Sequence, residues 1–181
     1  MTPLNPSRFN FGPASVEETI VYGAERPGFG RELTEADDVA DWLNFMQTQG
    51  IRRVCCLLTS EQIAHYPVDL LRTYATFFGE NNVCWAPVED YHLAESEILR
   101  TRIKPFLADS VEKNMPVVVH CSAGMGRTGH VLAAWLASGR RYSPEAALQA
   151  VIDMGRAPLE VVLCGNATRE ELHQLLLEGR D

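Results

Sequence analysis

Apolar positions along this 181-residue chain fall into two patterns, short continuous runs and longer stretches at helical spacing. Ile51 to Leu58, Asn82 to Val88 and Pro116 to Val119 are short, largely apolar runs. They suit buried parallel strands, whose two faces are both covered. Between and after them the spacing turns helical. Thr34-Glu-Ala-Asp37 has the form of a capping box and opens a helix with Val39, Trp42, Leu43 and Met46 on one face, ended by Gly50. A second helix is expected over residues 69 to 78. Residues 93 to 114 place Leu93, Ile98, Leu99, Ile103, Phe106, Leu107 and Val111 on a helix, with a bend expected at Pro105. The run at 116–119 passes through a polar turn into a helix carrying Val131, Leu132, Trp135 and Leu136. Ser143-Pro144 opens another that runs to Gly155, and Thr168 caps a last one with Glu171.

Residues 1–33 are rich in Pro, Gly and Asn and read as an irregular lead-in, with the β-like patch Thr19 to Tyr22 supplying an edge strand. Strands alternating with helices predict an α/β fold, a three-layer sandwich with a central, mostly parallel sheet flanked by helices. No repeat, linker or low-complexity tract interrupts the pattern. Residues 1–181 are therefore expected to form a single domain.

Composition narrows the function. An apolar fraction of 46% with 22% charged residues excludes a disordered or collagen-like chain. Sixteen basic against twenty-four acidic residues give a net charge of −8, unsuited to gripping duplex nucleic acid, although a local basic pocket stays open. Runs such as Val131 to Ala137 are far short of the roughly 20 residues that cross a bilayer. The opening segment MTPLNPSRFNFG lacks the form of a secretory signal, so a cytoplasmic location is expected. Five cysteines without any CxxC spacing argue against a disulfide framework or a zinc site. Those in VCCLL, NNVCWAP and EVVLC read as small buried hydrophobes. Cys121 alone has polar, glycine-rich company.

That company has the chemistry of an anion site. A strand entering a glycine-containing loop that opens a helix leaves backbone N–H groups without intrahelical partners, and the helix dipole adds positive charge. Within it, Cys121 and Arg127 lie six residues apart. Wrapped into one tight loop they would flank the same anion, sulfur beneath the phosphorus and guanidinium clasping two oxygens. Gly124 and Gly126 let the backbone turn its donors inward. The field that binds phosphate also favours the thiolate form of Cys121, the nucleophile that would give a phosphocysteine.

The run from His120 to Gly129, HCSAGMGRTG, resembles the HCxxGxxR[ST] signature of the cysteine-dependent protein tyrosine phosphatase superfamily. The chain's length is similar to the compact dual-specificity branch. The resemblance implies that Cys121 is the nucleophile, that Arg127 clamps the phosphate and that Ser122, Ala123, Gly124, Met125 and Gly126 supply backbone donors. It further implies that the Thr128 hydroxyl assists cysteine as the leaving group and that His120 orders the loop. The general acid implied is Asp90, because Ala86 to His92 resembles the corresponding segment of the phosphatase and tensin homologue; Glu89 is the adjacent alternative. The proline common a few residues after that acid is absent.

Other polar residues carry weaker signals. Arg156 reads either as a cleft residue or as a solvated helix end, and Asn166 as a turn residue or a holder of the hydrolytic water. His65, His92, His130 and His173 read as surface or packing residues. Some relatives protect the oxidised nucleophile by a disulfide, a role that Cys55 or Cys56 would fill here. Relatives acting on phosphoinositides commonly carry lysines in the loop, whereas this one has Ser122, Ala123 and Met125. The expected substrate is therefore a phosphorylated protein, phosphotyrosine first with phosphoserine and phosphothreonine tolerated, handled by a monomer without metal or cofactor. The alternatives are a small-molecule, phosphoinositide or RNA 5′-phosphate phosphatase and a non-catalytic phosphate-binding pseudophosphatase.

Overall fold

The computed structural model describes residues 8–178; the two ends of the expected 1–181 domain, with the first part of MTPLNPSRFNFG, lie outside the described residues. The lead-in contributes two strands, β1 (Gly12–Pro13) and β2 (Val21–Ala24), and β3 (Arg53–Cys56), β4 (Val83–Trp85) and β5 (Val117–His120) follow. They lie in the order β1-β2-β5-β3-β4, with β1 antiparallel to β2 and every other pair parallel. The strand from the Thr19 to Tyr22 patch is thus an interior one, bonded to β5 on one side and β1 on the other. The edge belongs to β1, whose Pro13 has no N–H to offer a further strand. Gly23 explains why β2 was hard to place: a Cβ there would lie 2.9 Å from Leu132 Cδ1 and Thr128 Cγ2, so close packing has removed the side chain that would have marked an interior strand.

Helices cover both faces. On one side lie α1 (Ala36–Thr48), the short α2 (Ser60–Ala64) and α3 (Leu70–Phe78). On the other, α4 (Ser96–Ile98) runs through a π-helical turn at Leu99–Ile103 into α5 (Lys104–Glu112), and α6 (Gly126–Gly139), α7 (Pro144–Asp153), α8 (Glu160–Leu163) and α9 (Arg169–Leu177) complete the chain. Alternate strand residues divide between the layers. Val21, Cys55, Leu57, Val117 and Val119 pack with the α5, α6, α7 and α9 side chains, whereas Val54, Cys56, Leu58 and Val118 pack with Trp42, Met46 and Tyr74. The architecture is the expected α/β sandwich, a mostly parallel sheet between two helical layers. Among the described residues no helix is long and apolar enough to cross a membrane.

Local differences from expectation have local causes. The capping box of α1 is Glu35 with Asp38, one residue later than expected, because the Thr34 hydroxyl accepts from Arg26 Nη1 at 3.2 Å. The expected bend at Pro105 takes the form of the π turn just before it, a wide turn that relieves the clash of the proline ring with the carbonyl four residues back. Helices α2 and α8 are too short to carry a readable period. Cys164, expected to be buried, is exposed at the end of α8.

The lead-in is tied to α6 by one carboxylate. Glu18 Oε1 accepts from the amides of Thr19, Ile20 and Val21 and from Arg140 Nη2, while Oε2 accepts from Trp135 Nε1 at 3.1 Å and Arg140 Nε at 2.9 Å. Burial pushes the Glu18 carboxyl up, but bonds to Arg140, the Ile20 amide and Trp135 outweigh it and hold it below the ordinary 4.5. Its contribution to stability is therefore complete above pH 4.5 and is lost as pH falls through the lower folded value. Glu18→Ala is expected to cost about 3 kcal/mol in chemical denaturation at pH 7 and to remove that acid limb.

Candidate active site

The last residue of β5, His120, is fully buried. Its Nδ1 is 3.1 Å from the Cys121 carbonyl and its Nε2 is 3.1 Å from Tyr74 Oη. A carbonyl only accepts, so Nδ1 carries the proton and Nε2 accepts from the tyrosine hydroxyl. Burial pushes the imidazole down to about 4, which keeps this bonding pattern neutral at physiological pH. The ring thus ties the loop to the Trp42 and Tyr74 side of the core, 5.4 Å and 5.7 Å from those two ring centroids.

From there the loop turns back over Ala24. Gly124 sits at φ +71°, and a Cβ on it would lie 2.5 Å from the Ala24 carbonyl carbon and oxygen, so only glycine fits. Among the described residues the amide N–H groups of Ser122 to Arg127 have no acceptor. Cys121, Ser122, Met125, Gly126, Arg127 and Asp90 line one cavity of about 180 Å³. The junction therefore presents a row of unspent donors around Cys121, a residue 3% exposed.

Arg127 is buried and held on one side only. Nη1 donates to Gln62 Oε1 at 2.9 Å and to the Val88 carbonyl at 3.0 Å. Nη2 has no hydrogen-bond acceptor among the described residues, with the Asp90 carboxylate as an ion-pair partner at 3.2 Å. The Thr128 hydroxyl is likewise buried and unpaired among them. Asp90, not Glu89, lines the cavity. Its loop turns at Tyr91, φ +60°, in place of the missing proline. The loop is pinned where Ala94 N–H donates to His130 Nε2 at 3.0 Å and Asn166 Nδ2 donates to the Tyr91 carbonyl at 3.0 Å. His130 and Asn166 thus hold the Asp90 loop against α6 and the α8 end.

Arg156 has neither of its two expected places. It is 4% exposed and lies behind the loop, Nη1 donating to the Gly124 carbonyl at 2.7 Å and Nη2 to the Gly23 carbonyl at 2.8 Å. Carbonyls that turn away from the anion cavity need donors, and a guanidinium meets two at once. Burial pushes it down to about 10, so it stays charged at neutral pH.

Several residues at or beside the cavity escaped sequence reasoning. Glu160, in a stretch that reads as apolar, reaches over the first turn of α6, where a Cβ on Gly126 would collide with its carboxylate. Burial and then the charge of Asp90 push its carboxyl up, against the pull of Arg127. Gln62 stands on α2, where only its place in a capping box with Thr59 was available as a signal. Phe29 and Tyr91, 43% and 48% exposed, also line the cavity, and nothing in their spacing links them.

A family model described as the DSP-PTPase phosphatase of polymorphic toxin systems matches residues 28–140. The chain belongs to this family of cysteine-dependent phosphatases. No curated protein sequence matches it. Among solved structures, Tk-PTP in its active form is 21% identical, covering 87% of this chain and 93% of its own, with a TM-score of 0.64. PTPMT1 in complex with PI(5)P is 14% identical over 94% of both chains, TM-score 0.66. Kinase associated phosphatase is 19% identical over 89% of this chain and 85% of its own, TM-score 0.65.

Glu160→Gln removes a negative charge that faces an incoming phosphate. Its KM for an aryl phosphate at pH 7 is expected to fall about threefold to tenfold. Because the Glu160 carboxyl titrates above 4.5, wild type and variant are expected to converge as the assay pH is lowered through that value. A KM difference independent of pH would show that charge is not the cause.

Proposed function

We propose that this phosphatase acts on phosphorylated proteins, phosphotyrosine first, with phosphoserine and phosphothreonine tolerated. The observation that carries the catalytic part is the set of donors with no acceptor among the described residues, the Ser122 to Arg127 amides and Arg127 Nη2, gathered around Cys121. Such an array suits the three equatorial oxygens of a transferring phosphoryl group. Cys121 sulfur attacks phosphorus and the bond to the ester oxygen breaks, Asp90 giving that oxygen its proton. Water then attacks the phosphocysteine, with Asp90 taking its proton and the Thr128 hydroxyl donating to the departing sulfur. His120 keeps the loop in shape throughout.

The substrate preference draws on the walls. Phe29 and Tyr91 border the cavity, apolar surfaces that an aryl phosphate fills better than an alkyl one. The loop has no lysine between Cys121 and Arg127 for a polyphosphorylated inositol ring. Relatives in this fold are diverse, one being crystallised with PI(5)P and another named for its association with a kinase, so substrate must be tested directly.

Phosphate release with a chelator present is the test, from matched phosphotyrosine and phosphothreonine peptides and soluble phosphoinositides. The peptides are expected to turn over, tyrosine fastest, and Cys121→Ser to abolish release. Release from phosphoinositides alone would overturn the protein-substrate reading. Asp90→Asn is expected to lower kcat by about 10²- to 10⁴-fold with KM little changed, whereas Glu89→Gln leaves the rate near wild type. The reverse order would move the acid to Glu89.

A further inference from the structure

Two cysteines with no part in the proposed chemistry meet in the sheet. β4 is an edge strand, paired with β3 alone, and in their parallel register Cys84 lies directly beside Cys55. Partners in register present their side chains to the same face, and both residues belong to the core layer that holds α5 and α6. Neighbouring strands stand about 4.8 Å apart, within the roughly 4.4 to 6.8 Å between Cα atoms that a disulfide spans. The Cys55 thiol already donates a hydrogen bond to the Cys84 sulfur.

The two sulfurs differ in character. Cys55 is fully buried, whereas Cys84, on the edge strand, is 8% exposed. The bond from Cys55 draws the Cys84 thiol below the ordinary 9 against the opposing effect of burial, and the charges of Arg102 and Arg53 add to the pull. That same bond, together with burial, pushes the Cys55 thiol well up. Arg53 is held in place by Ser110 Oγ at 2.7 Å and the Asp109 carboxylate at 2.8 Å, and Arg102 stands on the π turn before α5. Cys84 thus combines cationic surroundings, an outlet at the sheet edge and a second thiol within reach, the setting of a redox-reactive cysteine.

The other cysteines are placed less well for Cys55. Cys56 points into the opposite layer, with Trp42 and Tyr74, and burial pushes its thiol up to about 12. Cys121 follows His120, the register partner of Cys56, so its own neighbour on the β3 side is Leu57. Two residues of strand, about 6.6 Å of rise, added to the spacing between strands put Cys55 beyond its disulfide span.

We propose that Cys84 and Cys55 form a peroxide-responsive dithiol, a site of reversible oxidation separate from Cys121. The Cys84 thiolate attacks one oxygen of hydrogen peroxide and the O–O bond breaks; the departing hydroxide takes up a proton and leaves as water, and Cys84 becomes a sulfenic acid. The Cys55 sulfur then attacks the Cys84 sulfur and gives up its proton, while the S–O bond breaks and releases a second water. Two thiols are oxidised to one disulfide and one peroxide is reduced to two waters. The link joins the edge strand to its neighbour just ahead of Val88, whose carbonyl holds Arg127, and of Asp90. It does not depend on which phosphoester the site cleaves.

The test uses Cys121→Ser protein, so that the proposed nucleophile does not compete for oxidant. After brief exposure to hydrogen peroxide, free thiols are alkylated in denaturant and the protein is digested with trypsin without reduction. Cleavage after Arg53, Arg72 and Arg100 puts Cys55 and Cys84 on separate peptides, 54–72 and 73–100. A linked pair is expected, its mass the sum of the two peptides less two hydrogens, and dithiothreitol is expected to abolish it. Because Cys56 shares the first peptide, the link is expected to persist in Cys56→Ser and to be lost in Cys84→Ser. Cys164, the exposed thiol, is expected to be recovered alkylated after the link has formed. Oxidation of Cys164 ahead of Cys84, or Cys84 recovered reduced or as sulfinic acid with no linked peptide, would overturn the proposal. So would wild-type protein in which peptide 54–72 is linked to 114–127, which carries Cys121, instead of to 73–100.

Discussion

Where β5 passes into α6, the chain turns its amide donors to one side and its carbonyls to the other, and much of the surrounding structure answers that separation. Turning the amides of Ser122 to Arg127 toward one cavity forces carbonyls of the same loop outward, where they must find donors in the protein interior. Arg156 meets Gly124 and Gly23, the Arg26 amide meets Ser122, and the His120 ring meets Cys121. Each of these comes from a different part of the chain. The donors left over on the inner side form the proposed substrate site.

Charge is arranged on the same principle. Arg127 is buried beside carbonyl and amide oxygens that satisfy one nitrogen, and its other nitrogen faces Asp90. In the proposed reaction a phosphate would compete with Asp90 for that nitrogen and so free the carboxyl to face the leaving oxygen. Glu160 adds a second negative charge at the rim. It makes the site less welcoming to anions in general, and the backbone donors and Arg127 restore affinity only for a group that fits among them.

Much of the layer arrangement could be read along the chain. The fully buried strand β5 is apolar up to its last residue, His120, and α6 is buried from Gly126 to Ala137, which is why both stand out. The junction between them is a contiguous motif, so Cys121, Arg127 and Thr128 were legible together. Elements that are short or marked by glycine were not. The interior place of β2, the helices α2 and α8, and the one-residue shift of the α1 cap all depend on contacts with distant residues.

The sequence by itself determined the loop proposed to be catalytic, because a strand, a glycine turn and a helix start are local and their donors and side chains come from ten consecutive residues. It also determined the class of fold, since the period of its apolar positions is a local property. Tertiary structure decided what surrounds that loop: the brace formed by Arg156, the grip of Gln62 on Arg127 and the carboxylate of Glu160 at the rim. It also set Cys84 beside Cys55. These residues are separated along the chain by tens of positions. Burial and distance, which only folding sets, gave each its partner and thereby its role.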